Sequence, residues 1–184
     1  MVPEDKLAVF MATANMNVEA AKKLAEQLSK TTTDFHVVFR KHPRDNTDIG
    51  TYRDILSGYG LKLIDEGKMS TDQVAAAADI IITTTSTEGL HGVYRRKPTI
   101  HINDEQFLPM SENLDITLPL PAVKLGASIG VKQVNELALA MDDVLAPGST
   151  TYQILKGNME KHYPCDGKNA ERVLHVMQKV LDSK

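Results

Sequence analysis

The sequence contains no tryptophan, a single cysteine and an aromatic share of only 5%. One cysteine, Cys165, cannot close an internal disulfide, so a disulfide-stapled scaffold is excluded and the thiol reads as inert. No apolar stretch approaches the roughly 18 residues a membrane-spanning helix needs, and no basic segment followed by an apolar run opens the chain. A soluble protein in a reducing, cytoplasmic compartment is the expectation. Neither charge sign dominates, with 21 Lys and Arg against 24 Asp and Glu and a net charge of −3. That balance excludes a general nucleic-acid or anionic-membrane binder, while leaving room for a local anion site. Walker A, Gly-x-Gly-x-x-Gly, His-Glu-x-x-His and Cys-x-x-Cys patterns are all missing. P-loop NTPases, standard dinucleotide binders and common zinc sites therefore lose support, and no metal or cofactor is expected.

What is present is an ordinary globular composition, 42% apolar and 24% charged over 184 residues. A chain of that length makes about one domain, spanning residues 1–184, and should bury roughly 70% of its unfolded surface. Short β-rich runs alternate with segments of helical period, which reads as repeated βα units around a parallel sheet of five or six strands. Strands are expected at Leu7 to Thr13, Phe35 to Lys41, Leu61 to Asp65, Asp79 to Thr84 and Pro98 to Asn103, with a proline-interrupted edge candidate at Ile116 to Leu120. Asp79 to Thr84 is nearly all β-branched and should be central, buried on both faces. Between them, Asn17 caps a first helix, Ile49 to Tyr59 marks a second, and Ser70-Thr71-Asp72-Gln73 is a capping box opening a third. Further helices are expected after Gly89, from Val131 to Leu145 and from Asn169 to Leu181.

In open α/β sheets ligands bind outside the carboxyl ends of the strands. The loops at those ends are all polar: Ala14 to Asn17, Lys41-His42-Pro43-Arg44, Glu66-Gly67-Lys68, Thr85-Ser86-Thr87-Glu88-Gly89 and Asn103-Asp104-Glu105. Cationic side chains, hydroxyls and a helix N-terminus in one crevice suit a phosphorylated ligand, with Gly89 and Gly92 allowing close approach. Each residue also has a structural alternative. Glu88 stands three residues after Thr85, the spacing of a capping box; Lys41 and Arg44 can be solvated loop charges; His91 can be an ordinary surface histidine. Pro43 holds His42 extended at a strand tip, which favours a functional role for it. A separate pattern, Gly126-Ala127-Ser128-Ile129-Gly130, has the Gly-x-Ser-x-Gly form of a hydrolase nucleophile elbow, with His162 or His175 following. A flexible turn leading into a helix is its structural alternative.

The segments Val37 to Arg44 and Ile80 to Ile100, the latter containing Thr85-Ser86-Thr87-Glu88-Gly89-Leu90-His91-Gly92 and Lys97-Pro98, carry a resemblance. They resemble the C-terminal, nucleotide-sugar-binding half of GT-B glycosyltransferases, close to capsule-polysaccharide, CDP-glycerol glycerophosphotransferase and UDP-N-acetylglucosamine 2-epimerase relatives. The similarity extends from Leu7 to Leu145. It implies a Rossmann-like three-layer α/β/α fold and a donor-binding role toward a nucleotide-activated sugar or polyol phosphate, which is the substrate and not a cofactor. It further implies that Lys41, His42, Arg44, Ser86, Thr87, Glu88, Gly89 and His91 line the donor site, with the diphosphate against Ser86, Thr87 and Gly89 and the base beside Glu66 to Met69. Catalytic residues stay unassigned. An N-terminal acceptor-binding domain or partner subunit is implied as well, because such enzymes place the active site between two halves. Two positions depart from the family pattern. His91 stands where a ribose-binding glutamate is usual, and Arg96 replaces the glycine usual before Lys97-Pro98. A non-catalytic nucleotide- or protein-binding module of the same fold is the alternative function, with a serine hydrolase using Ser128 as a third.

Overall fold

Five parallel strands form one sheet in the order β2-β1-β3-β4-β5. They are β1 (Lys6–Met11), β2 (Phe35–Arg40), β3 (Ile80–Thr83), β4 (Thr99–Ile102) and β5 (Ile129–Val131). The helices are α1 (Val18–Leu28), α2 (Ile49–Gly58), α3 (Thr71–Ala77), α4 (Gly89–Tyr94), α5 (Pro121–Lys124), α6 (Leu137–Leu145), α7 (Thr150–His162) and α8 (Asn169–Asp182). The computed structural model describes residues 6–11, 17–42, 45–63, 69–107 and 119–182. Among the described residues no helix is long and apolar enough to cross a membrane.

Local chemistry accounts for the helix ends. The Asn17 side chain accepts from the N–H of Ala20 at 2.8 Å, opening α1 as the sequence predicts. Ser70 and Gln73 form both bonds of a capping box at α3. At the end of α2, Gly60 takes a φ of +76° while the N–H of Leu61 reaches back to the carbonyl of Leu56 at 3.0 Å. This left-handed exit is nearly strain-free for glycine.

The predicted central strand is central. Ile80, Ile81, Ile82 and Thr83 are all buried, with β1 on one side and β4 on the other. Paired residues of parallel strands share a face, and the two faces of this sheet differ. Ile80, Ile82, Ile100, Ile102 and Val131 belong to the main apolar core with α1 and α6. The other face carries Ile81, Thr83, Thr99, His101 and Gly130, in register along β3, β4 and β5. Here α4 comes so close that a Cβ on Gly89 would lie 2.8 Å from Thr83 Cγ2 and from His101 Cε1, and one on Gly92 would lie 2.8 Å from Ile81 Cδ1 and overlap Thr99 Oγ1. These two glycines let α4 pack directly on the sheet.

Three expectations are revised or fall partly out of view, and one helix is added. Leu61 to Asp65 contributes a single parallel bridge, Val37 to Leu63, at the far edge beyond β2, and residues 64–68 lie outside the described residues. Residues 116–118 of the edge candidate also lie outside them, and Pro119 and Leu120 are not strand. The fifth strand is instead Ile129–Val131, drawn from the segment read as a turn and from the start of the expected Val131 to Leu145 helix. Finally α7, unforeseen in the sequence, buries Leu155 and Met159 behind its Ser149 cap. The backbone N–H of Tyr152 donates to Ser149 Oγ at 3.0 Å.

Candidate functional site

Counting the Leu63 bridge, the strands run in the doubly wound order 3-2-1-4-5-6, which reverses direction between β1 and β3. The crevice outside the carboxyl ends at that reversal is where such sheets hold ligands. Lys41 and His42 follow β2, and Ser86 to Glu88 follow β3. Since β1 lies between them, the two loops stand about 10 Å apart across the sheet.

The loop after β2 is organised from within. Lys41 Nζ donates to the carbonyl of Thr47 at 2.6 Å, and the carbonyl of His42 accepts from the N–H of Asp45 at 2.9 Å. Asp45 accepts in turn from the Tyr52 hydroxyl at 2.7 Å and the Thr47 N–H at 2.8 Å. Burial pushes the Asp45 carboxyl up, but the hydrogen bonds from Tyr52 and Thr47 outweigh it and hold the group below its ordinary value. The Tyr52 hydroxyl is pushed up to about 12, first by burial and then by Asp45. His42 is half-buried at the strand tip. Arg44 lies outside the described residues, as do Glu66 to Lys68 of the expected base-side loop.

The loop after β3 also uses much of its own polarity. Glu88 N–H donates to Ser86 Oγ at 3.2 Å, and the N–H groups of Gly89, Leu90 and His91 bond the carbonyls of Ser86, Thr87 and Glu88. These are the donors a phosphate would seek at the helix start, and α4 is only six residues long. The polar groups this loop still presents are the hydroxyls of the half-buried Ser86 and the exposed Thr87 rather than a helix terminus. Glu88 makes no side-chain cap to α4, so the capping box that its spacing from Thr85 offered as an alternative does not form. It accepts instead from the Thr71 hydroxyl of α3 at 3.2 Å. His91 Nδ1 is 3.4 Å from Asp72 Oδ1, and Asp72 is also bound by Arg95, whose Nε donates at 3.0 Å. The Arg95 guanidinium, helped by His91, holds the Asp72 carboxyl below its usual value against an opposing burial effect.

Ser128 is buried and sits just before β5, followed by the strand. A nucleophile elbow needs the opposite order, strand then turn then helix. The motif is a turn whose residue Gly126 takes a φ of +64°.

Sequence reasoning missed three buried or tethering groups. Asp104, in a loop expected to face ligand, accepts from the N–H of Val134 at 3.0 Å and of Gln106 at 3.1 Å, tying the end of β4 to the segment before α6. Asp72 was visible only as the third residue of a capping box. His101, in the middle of a buried strand, was an anomaly in a Thr-Ile-His-Ile run and should have drawn attention as a buried polar residue.

The strand order and its switch-point crevice define a Rossmann-like α/β unit. No family model matches the sequence, and no curated protein matches it. Solved structures do share the fold. A glycosyltransferase from Rickettsia africae is 17% identical with a TM-score of 0.59, over 87% of this chain and 43% of that one. UDP-GlcNAc 2-epimerase from Neisseria meningitidis, bound to UDP-GlcNAc, is 16% identical with a TM-score of 0.58, over 86% of this chain and 43% of that one. The wall teichoic acid polymerase TagF is 15% identical with a TM-score of 0.55, over 100% of this chain and 43% of that one. The chain thus spans less than half the length of the structures it matches.

Proposed function

We propose that this chain, as one domain, is the donor-binding unit of a GT-B-type transferase, taking a nucleotide-activated sugar or polyol phosphate at the switch point between β1 and β3. The observation that carries this reading is the doubly wound strand order, whose reversal point is bordered by the loops holding Lys41, His42, Ser86 and Thr87. The shared fold with an epimerase bound to a nucleotide sugar supports the donor class.

In this reading Lys41 and Arg44 supply positive charge toward the diphosphate. Ser86 Oγ accepts from Glu88 N–H and keeps its own proton to donate to a phosphate oxygen. Thr87 adds a second hydroxyl, and His42 is held at the strand tip to reach the same group. Their contribution to transfer is electrostatic, stabilising the nucleoside diphosphate as it leaves. The acceptor and the groups that activate it come from a second unit. Support for that unit lies in α8, which buries none of its residues and leaves Val173, Leu174, Val176, Met177, Val180 and Leu181 between 54% and 64% exposed. An apolar stripe of that kind on an amphipathic helix is a packing face.

Calorimetric titration with UDP, CDP and GDP tests the reading. One of them should bind at millimolar concentration or below, and Arg44→Ala should weaken that complex by about 1–3 kcal/mol, as for a charged hydrogen bond. Failure of all three to bind refutes it. A non-catalytic module is favoured by one observation, that His91 occupies the usual glutamate position and is engaged with Asp72. A gain of nucleotide affinity in His91→Glu would support that second reading.

A further inference from the structure

A polar hollow of about 390 Å³ lies between α1 and the loops that follow β4 and β5. It stands on the face of the sheet that α1 and α6 cover, whereas α4 packs on the other face. None of the described residues lining it comes from the loops after β2 or β3, where the proposed donor site is.

Its back wall is fixed by a chain of hydrogen bonds. One oxygen of Asp104 accepts from the N–H of Val134 at 3.0 Å, and the other accepts from the backbone N–H and the side-chain amide of Gln106, each at 3.1 Å. Because the Gln106 amide gives its N–H to Asp104, its oxygen is left to accept from Lys23 of α1. An ammonium carries three donors, so Lys23 has donors left over. Glu26, also in the lining, is held by Lys30 at 2.7 Å. An entering anion would meet these two carboxylates against the single ammonium of the lining.

The residue that points to a ligand is Gln27. It is only 8% exposed, and its carboxamide has no hydrogen-bond partner among the described residues. Neither amide atom is sealed in the way that the unpartnered His101 Nε2 is, and the hollow is an open space that Gln27 borders. A buried amide without a partner is costly, and a ligand that pairs with it recovers the lost hydrogen bonds. Gln133 and Asn135 bring two more amides without partners among the described residues, from the segment between β5 and α6. An amide is donor and acceptor at once, and so is a hydroxyl. A group carrying adjacent hydroxyls can therefore pair with these amides and with Lys23 without bringing charge into the hollow.

We propose that this hollow is a second binding site, for a neutral polyhydroxylated group such as a sugar ring, with Gln27 as its anchor. It does not depend on the donor reading, and a chain that binds no nucleotide would still bind a polyol here.

The test uses the full chain labelled with 15N, titrated separately with glucose, N-acetylglucosamine, myo-inositol, cyclohexanol and inorganic phosphate while the side-chain amide resonances are followed. At least one of the three polyols should saturate and move the Gln27 and Asn135 amide resonances. Its affinity should be only millimolar, since no aromatic side chain among the described residues lines the hollow to stack on a ring. Cyclohexanol and phosphate should move neither resonance. Gln27→Leu should weaken the polyol roughly three- to tenfold, the range expected for one net hydrogen bond, as read at Asn135. The same variant should melt no lower than the wild type, because it removes a buried amide without a partner, whereas loss of a purely structural glutamine would lower the melting temperature and leave the affinity unchanged. Asn135→Ala, on the exposed rim, should also weaken the polyol, and it serves if Gln27→Leu fails to fold. UDP added to the polyol-loaded chain should leave the Gln27 resonance in place whether or not the nucleotide binds elsewhere. The proposal is overturned if no polyol moves the Gln27 amide, or if Gln27→Leu or Asn135→Ala binds as tightly as the wild type. Phosphate binding tighter than every polyol, or displacement of the polyol by UDP, overturns it as well.

Discussion

Arg96 is the position where this chain departs most measurably from what its backbone asks. It ends α4 with a φ of +59°, the only described residue other than glycine in the left-handed region. The N–H of Lys97 reaches the carbonyl of Gly92 at 2.9 Å and that of Arg96 reaches Val93 at 3.2 Å, the two bonds of a Schellman motif, which favours glycine at this point. Arg96 stays because its guanidinium is used: NH1 donates to the carbonyl of Val93 at 3.1 Å and NH2 to that of Tyr163 at 3.0 Å. The second bond ties the chain just after α7 to the end of α4. Replacing Arg96 by alanine keeps the backbone strain and loses both hydrogen bonds, a loss of about 1–2 kcal/mol for two partly solvated contacts. Glycine loses the same bonds but relieves roughly 1–2 kcal/mol of left-handed strain, offset by about 0.5–1 kcal/mol of extra unfolded-chain entropy. Arg96→Gly should thus be more stable than Arg96→Ala by roughly 0.5–1 kcal/mol, the reverse of the usual helical order. Urea denaturation followed by circular dichroism at 25 °C measures this directly, with m expected to be equal in both variants. An alanine variant as stable as the glycine variant, or more so, would refute the left-handed assignment and the reasoning built on it.

Two further predictions concern the polar face of the sheet. Gly92→Ala drives a methyl into Ile81 and Thr99 and should destabilise by about 1–3 kcal/mol in the same denaturation assay, whereas Gly58→Ala, with open space around its Cβ position, should not. His101 titrates below its ordinary value of 6.5 in the folded chain because burial disfavours its charge. The unfolded chain then binds the extra proton as pH falls through about 6.5, so this contribution to stability is present above that pH and lost below it. His101→Phe should flatten the pH dependence of stability between about pH 7 and 5; an unchanged slope would count against a buried neutral imidazole.

Much of the fold was legible because its signals are local. The β-branched run Ile80-Ile81-Ile82 announces a strand buried on both faces, and Asn17 and the Ser70–Gln73 box announce helix starts, since each depends on residues within one turn of itself. β5 was not legible. A three-residue edge strand containing Gly130 has no period to detect, and it exists because β4 offers an unpaired edge for Ile129 and Val131 to join. α7 carries a Ser149 cap and a Leu155 and Met159 pair at one-turn spacing, signals that its polar remainder diluted.

The candidate site divides in the same way. Alternating βα units place Lys41, His42, Ser86 and Thr87 at strand ends from sequence alone, because chain order and strand direction suffice to say which loops face the carboxyl edge. Whether a polar side chain there is free for a ligand depends on partners distant in sequence. Glu88 is occupied by Thr71, His91 and Arg95 share Asp72, and Lys41 is bound to its own loop. His101 shows the converse: a histidine in a strand of isoleucines becomes a buried neutral acceptor, its Nε2 without a partner among the described residues, only when Thr84 takes one side of the ring and α4 packs at Gly89 against the other. The sequence by itself determined the kind of layers and the order of the loops, since helix period, strand alternation and caps act over a few residues. Only the tertiary structure decided which polar groups are satisfied and which remain, because hydrogen-bond satisfaction is settled between residues that the fold, and not the chain, makes neighbours.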